Sequence, residues 1–381
     1  MENIRIAHVI PSLAKGGAER LALDICNALT QVPGVEVKLV VLSDINHFSA
    51  LSKEIDIKVI QAKYTPSITG KDLDETASLC DFFETYKPHI IHTHLFEAEF
   101  ICRATQYFNA AYVTHCHFNT FEYKKPTLQS FTNKLAFIRY IDRKLILSFA
   151  KKAKANLYLA VSNNTRKYFI DNLPRWLSKN VLLLHNAINY NLFAKAGNPL
   201  PPADEIILVS IGSLKTYKNQ RYLIYVLQTL LQKRYSAKLY VLGDGPEREN
   251  ILTLADKLNC SNNLILTGNI DAVEDYLDKS HIYVHSSTIE SFGLVMVEAM
   301  ASGLPVIALD GLGNRDVNVE GKTGYLLPAD ASPEAFADRI ISIASNPELY
   351  KEMSAYARNF AKGFGIEAYT QRLVAEYKKL L

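Results

Sequence analysis

The chain is poor in the features that would mark it as secreted, disulfide-stapled or membrane-spanning. Among its 381 residues no apolar run approaches the ~20 that a helix needs to cross a bilayer, so no spanning helix is expected. Its five cysteines, Cys26, Cys80, Cys102, Cys116 and Cys260, show neither CxxC spacing nor a disulfide framework, and read as buried, reduced thiols. The opening MENIRIAHVIPSL has no basic stretch and no small-residue cleavage site, unlike a secretion signal. A cytoplasmic location is expected. There is no internal repeat and no low-complexity tract. Metal motifs are equally scarce: no HExxH is present, and the one Asp-x-Asp, DLD at 72–74, is read as the start of a helix in the first half.

What remains is a globular composition, 48% hydrophobic and 21% charged, long enough for two domains of ~150–200 residues. The net charge of +3 conceals an asymmetry: residues 1–190 carry 23 Lys and Arg against 17 Asp and Glu, the remainder 19 against 22. The first half is therefore the better suited to an anionic partner. Short β-branched runs alternate with helix-period segments almost throughout, which signals parallel strands joined by crossover helices. In the first half the strands read 5–10, 36–43, 55–61, 89–94, 111–117, 157–162 and 181–188, with helices such as 18–30 and 73–86 between them. A polar, Pro-rich break, KAGNPLPPADE (195–205), interrupts this pattern. It restarts at 206–214, followed by 238–243, 264–268, 282–287, 305–309 and 323–327. The expected fold is α/β, with two Rossmann-like doubly wound parallel-sheet domains over 1–192 and 193–364 facing a cleft, and an amphipathic tail helix at 365–381. Ligands of such sheets bind beyond the carboxyl ends of the strands.

The segment SSTIESFGLVMVEAM (286–300) places a strand, a loop and a helix in succession. Backbone N–H groups at Phe292, Gly293, Leu294 and Val295 open the helix and form an anion site. Glu298 lies more than a turn up that helix, where a carboxylate can accept hydrogen bonds from a ribose diol, and Glu290 stays in the loop. The bland alternative is one capping and one surface glutamate, but Glu298 is flanked by Val297, Ala299 and Met300, and a buried carboxylate needs a partner. Gly16 and Gly17 in IPSLAKGGAER permit positive φ and close approach to a ligand after the first strand. VLGDGPERENI (241–251) lacks the third glycine of a dinucleotide fingerprint. His92, His94, His115 and His117 cluster at strand ends and read as cleft-lining or structural groups more readily than as metal ligands. Lys218 follows the first strand of the second half and is either an anion partner or a solvated charge. Residues 124–154 hold nine Lys and Arg and one acid, Asp142, mixed with apolar side chains. They suit either an anionic membrane surface or a solvated helix face. No nucleic-acid module is present.

Together these segments resemble a retaining glycosyltransferase of the two-Rossmann-domain (GT-B) type, glycosyltransferase family 4 (glycosyl transferases group 1). The likeness rests on ESFGLVMVEAMASGLPVIA (290–308), VSIGSLKTYKN, LYVLGDGPER, EGKTGYLL and the Gly-Gly loop, in family order. It implies an enzyme transferring a sugar from a nucleotide-diphosphate sugar to a glycan or lipid-linked acceptor in cell-surface polysaccharide synthesis, without a metal or other cofactor. By the same likeness Glu298 holds the ribose, Glu290 sits by the donor sugar, and the 292–295 amides with Lys218 grip the diphosphate. His117, or by a two-residue slip His115, serves the reaction centre, and the tail helix returns to the first domain. Ser213 stands where the family often has arginine. The competing readings are a sugar-nucleotide epimerase and a silent sugar-nucleotide-binding subunit.

Overall fold

The structure, a computed structural model, describes residues 3–67, 73–74, 76–131, 133–194 and 205–381. The Pro-rich break therefore lies outside the described residues except for Glu205. Two compact units emerge, one of Met1–Ala187 with Ile366–Leu381, the other of Ile188–Gly365.

The first unit is built on a seven-stranded sheet. In spatial order its strands are Ile57–Val59, Val35–Val41, Ile4–Ile10, Ile90–His94, Ala111–Cys116, Ala155–Ala160 and Val181–Leu183. Every pairing is parallel. Such strands must be covered on both faces, which is why they read as nearly unbroken apolar runs. Ile6 and Ile10 on one face pack with Leu21 and Ile25 of the helix Gly17–Thr30 and with Leu373 and Tyr377 of Ile366–Lys378. Ala7 and Val9 on the other pack with Leu79 and Phe83 of Thr76–Tyr86 and Ile101 of Phe96–Ala104. The alternation of a pleated strand thus turns His8 toward the same face as Ile6 and Ile10.

The second unit repeats the plan with six parallel strands, Leu264–Gly268, Ala237–Leu242, Ile206–Ile211, Ile282–His285, Val306–Leu309 and Gly324–Leu327 in spatial order. One face is covered by Gln220–Gln232, Arg248–Lys257 and Pro333–Ala344. In both sheets the chain winds outward from a central strand, then returns to wind the other way. The two central strands of each sheet therefore diverge at their carboxyl ends.

Two expectations need correction. The helix expected over 73–86 begins at Thr76, because Leu73–Asp74 pairs antiparallel with Lys63–Tyr64. The apolar periodicity that buries Leu79 and Phe83 starts a turn later than the acidic run suggests. The strand expected over 181–188 leaves the sheet after Leu183, and Ile188 instead donates its N–H to the Phe364 carbonyl at 2.9 Å.

Leu373 is fully buried in the core of the first unit. Leu373→Ala is expected to cost about 2–5 kcal/mol of that unit's stability in urea unfolding; a loss under about 1 kcal/mol would show the last helix to be peripheral to the core.

Candidate active site

In the second unit, the strands Ile206–Ile211 and Ile282–His285 are neighbours whose chains diverge at this edge. The loop after the first carries Lys218, and the loop after the second carries Glu290. Lys218 Nζ lies 2.7 Å from Glu290 Oε2, and His285 Nε2 lies 3.3 Å from the same oxygen. The Glu290 side chain is only 13% exposed, which decides its chemistry. Burial alone would push its pKa up, but the His285 ring and the Lys218 ammonium outweigh burial and hold it well below the usual carboxylate range. Glu290 is therefore an ionised acceptor across the physiological pH range and has no proton to donate.

The backbone fixes this carboxylate on both sides. Glu290 N–H donates to the Gly311 carbonyl, and Gly313 N–H donates to the Glu290 carbonyl, each at 2.9 Å. Buried Asn314 closes the facing loop by donating to Leu309 O and accepting from Gly311 N–H, both at 2.9 Å. A Cβ on Gly313 would meet Ser291 O at 2.2 Å, so only glycine lets the two loops lie together. Lys218 is positioned similarly: Ser286 Oγ donates to its carbonyl at 2.9 Å, and Thr288 N–H donates to Tyr217 O at 3.1 Å.

The helix that follows runs Leu294–Ala301. Gly293 precedes it at φ 96°, a left-handed conformation natural to glycine, and no side chain caps this end. Helix geometry leaves the Leu294 and Val295 amides without intrahelical acceptors, beside the partial positive charge of the helix start. Phe292 turns its side chain inward, edge-on to Phe364 at 5.7 Å, and so contributes backbone rather than ring to this edge. Glu298 is half-buried on the helix. Burial first, and then the charges of both Glu290 and Glu298, hold the Tyr283 phenol far above its ordinary pKa. Ser213 lies in the same loop as Lys218, its carbonyl accepting from Gln220 Nε2 at 3.1 Å. The loop carrying VLGDG packs beside it through Leu214 N–H to Asp244 O and Glu247 N–H to Leu214 O, both at 3.0 Å.

Sequence reasoning missed His285 and the 311–314 loop. His285 ends an otherwise apolar strand, and GLGN follows the next strand with glycines spaced for close packing; both are legible once the strands are placed.

In the first unit, Gly16 and Gly17 follow the central strand, but neither adopts positive φ. Gly16 is extended at φ −165°. A Cβ there would stand 2.2 Å from Glu19 Oε2, the tip of a side chain that can swing aside. Burial raises the pKa of that glutamate.

The histidines form one connected group with a member not recognised in the sequence, His8. His8 Nδ1 and His94 Nε2 are 2.9 Å apart, and His94 Nδ1 and His117 Nε2 are 3.0 Å apart. His115 stacks on His117 with centroids 4.2 Å apart and 7° between planes. His8, His92 and His94 are fully buried, His115 nearly so, and His117 partly exposed. Burial lowers all five pKa values, with repulsion from neighbouring rings adding to it for every one but His115; His8 falls to about 3 and His115 to about 4. The group is neutral at pH 7.

The helix Lys134–Lys152 and the segment before it expose Leu128, Phe121, Phe131 and Leu135 together with Lys124, Lys125 and Lys134. Arg143 is used internally, donating to Asn172 O at 2.8 Å. No helix among the described residues is long and apolar enough to cross a membrane.

Because the histidines have folded pKa values below the unfolded ~6.5, the unfolded chain binds more protons below that pH. Their contribution is complete above pH 6.5 and is lost as pH falls toward 4. Each ring then contributes a slope of up to about 1.4 kcal/mol per pH unit. Urea midpoints at pH 7, 6 and 5 should therefore fall with increasing steepness; equal midpoints would contradict the burial of neutral rings.

Known proteins resemble this chain in sequence and in fold. The family model for Glycosyltransferase Family 4 matches residues 15–192, and that for Glycosyl transferases group 1 matches 194–360. A 184-residue stretch is 32% identical to an uncharacterized glycosyltransferase of Haemophilus influenzae, covering 48% of this chain and 51% of that protein. Another, of 154 residues, is 33% identical to the N-acetyl-alpha-D-glucosaminyl L-malate synthase of Bacillus anthracis, covering 40% of each. The chain thus spans about half the length, or less, of these curated relatives. Among solved structures, Anabaena HepE in complex with UDP and glucose superposes with a TM-score of 0.79 at 18% identity, over 99% of this chain and 100% of that one. That likeness shows the fold, two parallel-sheet units of the GT-B type. With two family models that follow one another along nearly the whole chain, this chain belongs to the family 4 (group 1) glycosyltransferases.

Proposed function

We propose that the protein is a retaining glycosyltransferase that moves a sugar from a nucleoside-diphosphate sugar to a glycan or lipid-linked acceptor in cell-surface polysaccharide synthesis. The observation that carries this reading is the ionised Glu290 held by Lys218 and His285 beside an uncapped helix start. Breaking a sugar–phosphate bond builds negative charge on the departing diphosphate and oxocarbenium character on the sugar. The Leu294 and Val295 amides, with Lys218, are proposed to stabilise the first. Glu290 then accepts hydrogen bonds from donor-sugar hydroxyls, and Glu298 from the ribose. Lys218 exchanges its contact with Glu290 for phosphate when the donor binds. His117, from the first unit, serves the same reaction as a neutral hydrogen-bonding group. The α-linked product named for the Bacillus anthracis relative and the UDP bound to HepE support this reading. With charge neutralised by an ammonium and helix dipoles, the proposed reaction needs no metal.

A thermal-shift screen against UDP-, GDP- and ADP-sugars tests the donor class, since a ligand at 100 times its Kd adds about 2.7 kcal/mol to stability. Glu290→Ala is expected to lower kcat at least ~100-fold while the nucleotide-induced shift persists. Wild-type activity in that variant would remove Glu290 from the reaction. Activity should withstand excess EDTA, and its loss there would contradict metal independence.

The exposed apolar groups around Leu128, with exposed Lys124, Lys125 and Lys134 close by in sequence, are proposed to rest on anionic lipid at the cytoplasmic membrane face. Leu128→Glu with Phe131→Glu should abolish co-sedimentation with phosphatidylglycerol vesicles; unchanged sedimentation would refute the contact.

A further inference from the structure

The histidine group ends inward on Tyr377, a residue of the last helix that the proposed reaction does not use. Its hydroxyl lies 2.5 Å from His92 Nδ1 and 3.2 Å from His8 Nε2. Hydrogen bonds therefore run without a break from Tyr377 through His8 and His94 to His117.

A metal site is a poor explanation of this cluster. Metal ligation needs ring lone pairs converging on one point. Nitrogens of His8, His92 and His94, and of His94, His115 and His117, do lie within 4.8 Å of one another, but His92 and His94 stack 4.7 Å apart at 4°, and His115 and His117 stack 4.2 Å apart at 7°, so within each pair the lone pairs lie in separate, nearly parallel planes. The nitrogens of His8, His94 and His117 that face each other are already at hydrogen-bond separation.

A chain of neutral imidazoles has only two consistent polarities, because each ring carries one N–H and one bare nitrogen. Burial keeps the Tyr377 phenol protonated, so it supplies one proton and must choose its acceptor. If that proton points to His92 Nδ1, the N–H of His92 falls on Nε2, which is buried with no partner among the described residues. If it points to His8 Nε2, His92 donates Nδ1–H to the phenol oxygen and leaves only a lone pair at Nε2. Buried N–H groups without an acceptor are rarer than under-satisfied acceptors. The second polarity is therefore selected. His8 then carries its proton on Nδ1 and donates to His94 Nε2, and His94 carries its own on Nδ1 and donates to His117 Nε2.

We propose that Tyr377, His8 and His94 are positioning residues that fix His117 as the Nδ1–H tautomer, so that its outward ring nitrogen donates a hydrogen bond to an oxygen of the substrate and does not accept one. The functional consequence rests on the reading of His117 as a reaction-centre group. It makes His117 a ligand for a hydroxyl or phosphate oxygen and excludes it as the base that deprotonates an acceptor. The last helix of the chain thereby sets the hydrogen-bonding character of a group on a strand edge more than 250 residues earlier in sequence.

Long-range ¹⁵N–¹H spectra of histidine-labelled protein separate bare ring nitrogens from N–H nitrogens, with His8, His94 and His117 assigned by single substitution. Nδ1–H is expected on all three rings, and Nε2–H on His117 would overturn the proposal. In Tyr377→Phe, which removes the only hydroxyl in the chain of bonds, the bare Nε2 of His8 loses its donor, and its ¹⁵N resonance should move toward that of a ring nitrogen without a hydrogen bond. An unchanged His8 Nε2 resonance in the variant would overturn the relay; if the variant does not fold, the wild-type spectrum still decides the polarity. A stoichiometric zinc(II) complex that removes these N–H signals would replace the relay with a metal site. In transfer assays Tyr377→Phe should lower kcat about tenfold, the worth of one hydrogen bond, with the donor KM unchanged. Full activity in Tyr377→Phe alongside an inactive His117→Ala would overturn the functional link. Full activity in both, with the expected tautomers, would leave the relay standing and remove His117 from the reaction.

Discussion

Every strand of the two large sheets runs parallel to its neighbours, and most of the other features follow from that constraint. A parallel neighbour can be reached only by a crossover, so most strands are followed by a helix and all carboxyl ends of a sheet lie along one edge. Where the winding direction reverses, two adjacent loops part and leave a gap. Lys218 and Glu290 come from the two loops that part in the second sheet, and the Gly16–Gly17 turn comes from the corresponding place in the first. Residues 72 positions apart meet because the topology brings their strand ends together.

The two units treat buried polar groups in opposite ways. In the second, charge is retained and paired: the ammonium of Lys218 and the ring of His285 offset the cost of burying the Glu290 carboxylate, and rigid backbone bonds to 311–313 hold it in place. In the first, charge is removed. Burial opposes protonation of all five histidines, so they remain neutral; His8, His94 and His117 bond ring to ring, while His92 bonds to Tyr377.

Much of this was legible in the chain itself. Unbroken β-branched runs such as RIAHVI and LYLAVS signalled strands covered on both faces, and the core confirms them. The spacing of Glu290 and Glu298 around Gly293 signalled a loop-to-helix junction because only a helix puts the second carboxylate a turn above the first. Less legible was anything set by a distant neighbour. The helix expected from residue 73 starts at Thr76 because a two-residue pairing with Lys63–Tyr64 claims the backbone first. The Gly16–Gly17 pair permits positive φ, yet Gly16 is extended, a conformation that no local motif distinguishes beforehand. His8 went unremarked because a lone histidine in an apolar strand has no local signature; its partners lie 86 and 369 residues away.

By itself the sequence determined the element types, the parallel architecture and the family, because these depend on periodicity and on short motifs whose residues are neighbours along the chain. Tertiary structure alone decided that Lys218 meets Glu290, that His285 joins them, and that five histidines and a tyrosine from the last helix form a single neutral network. Protonation state, tautomer and ion pairing depend on burial and on atoms a few ångströms away in space, and separation along the chain carries no record of either.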